Sequence, residues 1–89
     1  MLTVYTQPNC PYCEQAKEWL TRNSIDYKVI NVIEDNNALN FIKEKGHKSV
    51  PQIYLGNDLF VEGGFTGLSR QDPIVLREQL ELNELRGLA

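Results

Sequence analysis

The strongest constraint on this chain is a pair of cysteines three residues apart. Its 89 residues contain only two, Cys10 and Cys13, and both belong to one Cys-x-x-Cys. A small secreted domain stapled by disulfides normally carries about four to eight cysteines. A bridge this local restrains the unfolded chain little. The loop-entropy relation gives about 2 kcal/mol for four residues, against about 3 for fifteen. Pairing so close in sequence is expected to serve chemistry rather than stapling.

The flanking residues set the pair in a strand-loop-helix unit. Leu2 to Tyr5 alternates among β-formers and reads as a strand, and Gln7-Pro8-Asn9 reads as a loop. A helix should then open with Cys10 at the N-cap and Pro11 at the first helical position, where a missing N–H costs nothing. Ala16, Trp19, Leu20 and, less cleanly, Asn23 recur at helical spacing, and Asn23-Ser24 ends the run.

Tyr27 to Ile33 reads as a second strand. Its apolar run, Val29, Ile30, Val32 and Ile33, predicts burial on both faces in a parallel pair. Asp35-Asn36-Asn37 offers a cap to a second helix carrying Ala38, Leu39, Phe41 and Ile42, with Gly46 as its stop. Gln52 to Leu55 and Leu59 to Glu62 form a hairpin around Gly56-Asn57-Asp58. Gly63-Gly64 breaks it, and a helical turn is expected over residues 66–70. Asp72-Pro73 starts a last helix through Ile74, Val75, Leu76, Leu80 and Leu82, stopped by Gly87. The predicted order is β-α-β-α-β-β-α. It implies an α/β architecture with a four-stranded mixed sheet flanked by helices, as one domain over residues 1–89.

At a helix N-terminus the unpaired N–H groups and the positive end of the macrodipole stabilise a thiolate, so Cys10 is the candidate nucleophile. Cys13, one turn further in, is the candidate resolving thiol. An ordinary thiol is only about 3% ionised at pH 7. Lowering its pKa to about 5 raises the thiolate nearly 30-fold, while nucleophilicity falls about 40-fold. Attack gains almost nothing. A more acidic sulfur leaves faster, so Cys10 is expected to be tuned for turnover of a mixed disulfide. A zinc site is the bland alternative. Only His47 remains as a further strong N/S ligand, so closure would need a carboxylate or a second chain. Two inert buried thiols are the other.

Composition narrows the partners. With 9 Lys+Arg against 12 Asp+Glu the net charge is −3, which argues against a general nucleic-acid binder. No apolar run reaches the length of a membrane helix, and Met1-Leu2-Thr3-Val4-Tyr5 lacks signal-peptide features, so a cytoplasmic protein is expected. Taken without further context, Pro51 reads as a strand-start proline, Gly63-Gly64 as a loop and Tyr12 as an exposed aromatic. Trp19, Phe41 and Tyr54 read as core or half-core aromatics, and His47 as a surface residue.

Cys10-Pro11-Tyr12-Cys13, Ser49-Val50-Pro51, Gln52-Ile53-Tyr54-Leu55 and Gly63-Gly64, in this order, resemble the motifs of dithiol glutaredoxins. That family has the thioredoxin-like fold, and the likeness spans about residues 2–86. It implies glutathione-dependent reduction of protein disulfides and glutathionyl mixed disulfides, with no tightly bound cofactor or metal. Cys10 would be the nucleophile and Cys13 the resolving thiol. Ser49, Val50 and a cis Pro51 would border the glutathione site, with Val50 offering its backbone as in strand addition. Tyr12 would line the groove, and Gly63, Gly64 and Thr66 would meet the γ-glutamyl end.

Two departures bear on glutathione. Gln7 stands where many family members carry a lysine, and Phe65-Thr66-Gly67 supplies no carboxylate after the glycine pair. Lys43, Lys45 and Lys48 concentrate positive charge nearby, which makes Lys48 a candidate contact alongside Gln7. The implied partners are glutathione, disulfide-containing or glutathionylated proteins and ribonucleotide reductase, with the protein a monomer. Gly64-Phe65 faintly resembles the Ser-Gly-Phe stretch of glutaredoxin-like redoxins that thioredoxin reductase reduces. A different class, an iron–sulfur or metal-bridged dimeric binding module, is disfavoured by Pro11.

Overall fold

The computed structural model describes residues 1–86. Its elements are β1 (Leu2–Thr6), α1 (Pro11–Arg22), β2 (Tyr27–Asn31), α2 (Asn36–Glu44), β3 (Gln52–Leu55), β4 (Asp58–Val61), α3 (Gly64–Ser69) and α4 (Pro73–Arg86). The four strands form one mixed sheet in the order β2-β1-β3-β4, with β1 parallel to β2 and antiparallel to β3. The expected architecture is present, with one addition. The helical turn after Gly63-Gly64 is a helix of its own, α3, so the order ends β-β-α-α. The proposed stop at Gly87 lies outside the described residues.

Side chains alternate across the sheet and fill two cores. Leu2 and Val4 of β1 join Ala16, Trp19, Leu20, Ile53, Leu68 and Leu76 on the face covered by α1, α3 and α4. Tyr5 and Tyr54 join Val32, Ala38 and Ile42 on the face covered by α2. Every residue of β1 is buried, as a central strand requires. The aromatics Trp19 and Tyr54 are buried, and Phe41 packs against the second cluster.

The expectation for the second strand was too generous in two respects. It stops at Asn31 because the Asn31 side-chain oxygen accepts the Ile33 N–H at 2.9 Å and turns the chain. It also lies at the sheet edge, so Val29 and Ile33 are exposed rather than buried on both faces. Parallel pairing with β1 does hold. Similarly, α4 buries Leu76 and half-buries Leu80, while Ile74, Val75 and Leu82 face outward. Among the described residues no helix is long and apolar enough to cross a membrane.

The helix ends follow from local chemistry. The Asp35 carboxylate caps α2 by accepting the Ala38 N–H at 3.0 Å. At its other end Gly46, with φ of 87°, lets its own N–H reach the Lys43 carbonyl while the His47 N–H reaches that of Ile42. The end of α1 closes in the same pattern. There Ser24 rather than glycine takes the left-handed φ of 59°, and Ile25 N–H bonds the Leu20 carbonyl.

Candidate functional site

The strand β1, the loop after it and the start of α1 bring Cys10 to the end of a central strand. Pro11 occupies the first helical position, and the Cys10 sulfur accepts the Cys13 N–H at 3.2 Å. Cys10 is therefore the N-cap, with sulfur in the role usually filled by a hydroxyl or carboxylate. The two sulfurs are disulfide-bonded, with the α-carbons 5.2 Å apart. Cys10 retains 9% exposure, whereas Cys13 is wholly buried. Access thus separates two chemically identical groups.

The loop between α2 and β3 supplies the opposing wall. The Val50 carbonyl oxygen lies 3.8 Å from the Cys10 sulfur, and the Val50–Pro51 peptide is cis. Beside them opens a cleft of about 480 Å³. Tyr12, Ser49, Val50, Pro51, Gly63, Gly64 and Thr66 all border it, so the fold gathers residues spread over more than fifty positions. Tyr12 is largely exposed and its ring stacks on Phe65, with centroids 6.4 Å apart.

Gln7 and Lys48 do not border this cleft. They line an adjoining groove with Lys43 and the apolar side chains of Val32, Leu39 and Ile42. The two depressions share His47, Ser49 and Val50 as a common wall. Lys45 is directed elsewhere, with its ammonium 5.6 Å above the Phe41 ring.

Sequence reasoning missed several residues. Glu62 borders the cleft just before the glycine pair, a carboxylate that a search after the pair overlooks. His47 is half-buried rather than a surface residue, and its Nε2 bonds the Tyr54 hydroxyl. Gly67 makes the tightest approach among the described glycines. A β-carbon there would stand within 1.7 Å of the Glu62 carbonyl oxygen. The Gly-x-x-Gly spacing of Gly64 and Gly67 on a short helix was the available signal. Burial pushes the Tyr5 phenol above its ordinary pKa, and the Asp35 carboxylate adds to the effect. Burial likewise raises Tyr54, with Tyr5 contributing. Among the described residues no group of three or more His, Cys, Asp or Glu is placed to hold a metal ion.

A Cys-x-x-Cys at a helix start, its first sulfur 3.8 Å from the carbonyl of a cis Val50–Pro51 peptide, is accompanied by a sequence match of residues 2–60 to the Glutaredoxin family. The chain belongs to the glutaredoxin family. It is 34% identical over 65 residues to the glutaredoxin-like protein NrdH of Lactococcus lactis subsp. cremoris, covering 73% of this chain and 88% of that protein. It is 39% identical over 59 residues to glutaredoxin 1 of Rickettsia prowazekii, covering 63% and 62%. Among solved structures, glutaredoxin 1 from Francisella tularensis aligns over 85% of this chain and 95% of its own, with a TM-score of 0.62 and 26% identity. The glutaredoxin-like NrdH-redoxin from Escherichia coli shares the fold, with a TM-score of 0.66 at 22% identity over 86% of this chain and 91% of that one. This glutaredoxin-family chain is accordingly a thiol oxidoreductase with one Cys-x-x-Cys redox pair.

Proposed function

We propose that this glutaredoxin-family chain reduces protein disulfides and glutathionyl mixed disulfides with electrons from glutathione, Cys10 acting as nucleophile and Cys13 as resolving thiol. The observation that carries the reading is the cleft of about 480 Å³ beside an N-capping Cys10. Of the two cysteines only Cys10 keeps any exposure, and the N–H of Cys13 is in place to stabilise its thiolate.

In the forward direction the Cys10 thiolate attacks one sulfur of the substrate disulfide. A mixed disulfide forms, and the other substrate sulfur leaves as a thiolate and takes a proton. Cys13, deprotonated, then attacks the Cys10 sulfur and releases the reduced substrate. The two electrons the substrate gains come from the dithiol, which ends as the Cys10–Cys13 disulfide. Two glutathione thiols restore the dithiol and leave as glutathione disulfide. On a glutathionylated substrate Cys10 alone suffices, because a second glutathione can resolve the mixed disulfide.

The walls suit a γ-glutamyl tripeptide. Among the described residues no backbone carbonyl takes the Val50 N–H, which leaves it for a ligand added as a short strand. Ser49 and Pro51 flank Val50 in the cleft lining, and Tyr12 borders the same cleft. Gly63, Gly64 and Thr66 also border the cleft, as does Glu62, whose carboxylate would pair with an ammonium group. A cytoplasmic setting, in which glutathione keeps thiols reduced, fits this chemistry.

A second reading draws on the identity to relatives named glutaredoxin-like protein NrdH and on Phe65 in the cleft wall. In it thioredoxin reductase replaces glutathione as reductant, and ribonucleotide reductase receives the electrons. One coupled assay separates them. The first reading predicts NADPH oxidation with glutathione and glutathione reductase, and none with thioredoxin reductase alone. The reverse result establishes the second.

A further inference from the structure

Two side-chain hydrogen bonds fasten the loop that carries Val50, and neither involves a sulfur. Gln52 is 93% buried and its Nε2 donates to the Ser49 carbonyl at 2.8 Å. His47 Nε2 bonds the Tyr54 hydroxyl, and its ring stands edge-on to Tyr54 with centroids 5.6 Å apart. Tyr54 is itself immobilised, packed edge-on against both Tyr5 and Phe41. Gln52 and Tyr54 are two residues apart on β3 and so point to the same face of the sheet. That is the face over which residues 47–50 pass. The loop is thus tied at both ends to one strand, and between the ties the Val50 carbonyl sits 3.8 Å from the Cys10 sulfur.

We propose that Gln52 and His47 are positioning residues that hold the Val50 backbone in register with Cys10, so that a substrate meets a ready-made strand edge. The inference rests on reading the cleft as the substrate site. A ligand that adds to Val50 as a strand must find its N–H and C=O fixed. A loop free to move would have to be ordered at the moment of binding, which weakens affinity. The buried Gln52 amide has few other uses. A polar group at that depth costs stability unless bonded, and its bond goes to the residue just before Val50. Because the ties act on binding and not on sulfur chemistry, their loss should appear in KM rather than in kcat.

Gln52→Met removes the donor at similar length, and His47→Phe keeps a ring without the bond to Tyr54. Steady-state reduction of a glutathionylated peptide and of insulin disulfides is measured with whichever reductant supports wild-type turnover. Each variant is expected to raise KM about three- to tenfold, with kcat within about twofold. His47→Gln, which restores a polar partner for Tyr54, should recover most of the loss. An unchanged KM in His47→Phe, or a lowered kcat at constant KM, overturns the proposal. If Gln52→Met does not fold, His47→Phe and His47→Gln decide alone. Wild-type turnover with glutathione tests the underlying reading separately, since the KM ratios are taken within one reductant.

Discussion

Gly64 lies so close to Pro51 that a β-carbon on it would stand 3.0 Å from the Pro51 carbonyl oxygen. The backbone there has φ of 59°, a region that L side chains seldom occupy. One residue therefore joins α3 to the loop beside Cys10. Gly64→Ala should push these two walls apart, destabilise the protein by about 1–3 kcal/mol and raise KM for glutathionylated substrates. Gly67→Ala is the more severe change, because its β-carbon would overlap the Glu62 carbonyl. A loss of about 3 kcal/mol or more is expected in urea unfolding. Wild-type stability in Gly67→Ala would mean that α3 does not dock as described.

Glu62 and Lys48 carry opposite expectations for glutathione. Glu62 borders the cleft, and Lys48 the adjoining groove. Both are exposed, so either charge contributes modestly. Glu62→Gln should raise the apparent KM for glutathione by about three- to fivefold, and Lys48→Ala by less than about twofold. Initial rates against glutathione concentration measure both. A larger effect from Lys48 would shift the ligand toward the second groove.

Ser24 closes α1 in a left-handed conformation that costs a non-glycine residue about 1 kcal/mol. Ser24 is exposed, and its N–H bonds the Thr21 carbonyl through the backbone. Ser24→Gly should keep that bond and raise stability by about 0.5–1 kcal/mol, seen as a higher urea midpoint at constant slope. Activity should not change.

The buried phenols of Tyr5 and Tyr54 make stability fall in alkali. Both are raised above the usual tyrosine pKa, so the native state keeps its protons where the unfolded chain releases them. Their contribution is intact below about pH 10 and is lost as pH climbs through the raised folded values. Tyr5→Phe should flatten the decline in unfolding free energy above about pH 10 and leave it unchanged near neutrality. An unaltered alkaline limb would assign that decline to other groups.

Much of this molecule was legible because its signals are local. Cys10-Pro11 announces a helix start, Asp35 and Asp72 cap two more helices, and Gly46 stops one. The second strand was misjudged for a non-local reason. Val29 and Ile33 are apolar enough for a central position, but the strand order leaves them at an edge, and only pairing of distant segments sets that order. The site divides in the same way. The cysteines are readable from spacing, and the motif around Pro51 from resemblance. The separation of Lys48 and Gln7 from the cleft, and the inclusion of Glu62 and His47, depend on where the fold sets the segments after α2 and β4. The positive cluster before the cleft also proves composite. Lys43 and Lys48 line one groove, while Lys45 covers an aromatic ring.

The central claim is that Cys10 attacks and Cys13 resolves. It is tested most directly by reduction of a glutathionylated peptide and of insulin disulfides, with glutathione as reductant, using wild type, Cys10→Ser and Cys13→Ser. Wild type should reduce both substrates. Cys10→Ser should reduce neither, because the remaining sulfur is wholly buried. Cys13→Ser should still reduce the glutathionylated peptide and lose insulin reduction. Turnover of either substrate by Cys10→Ser at a rate near that of wild type would contradict the account.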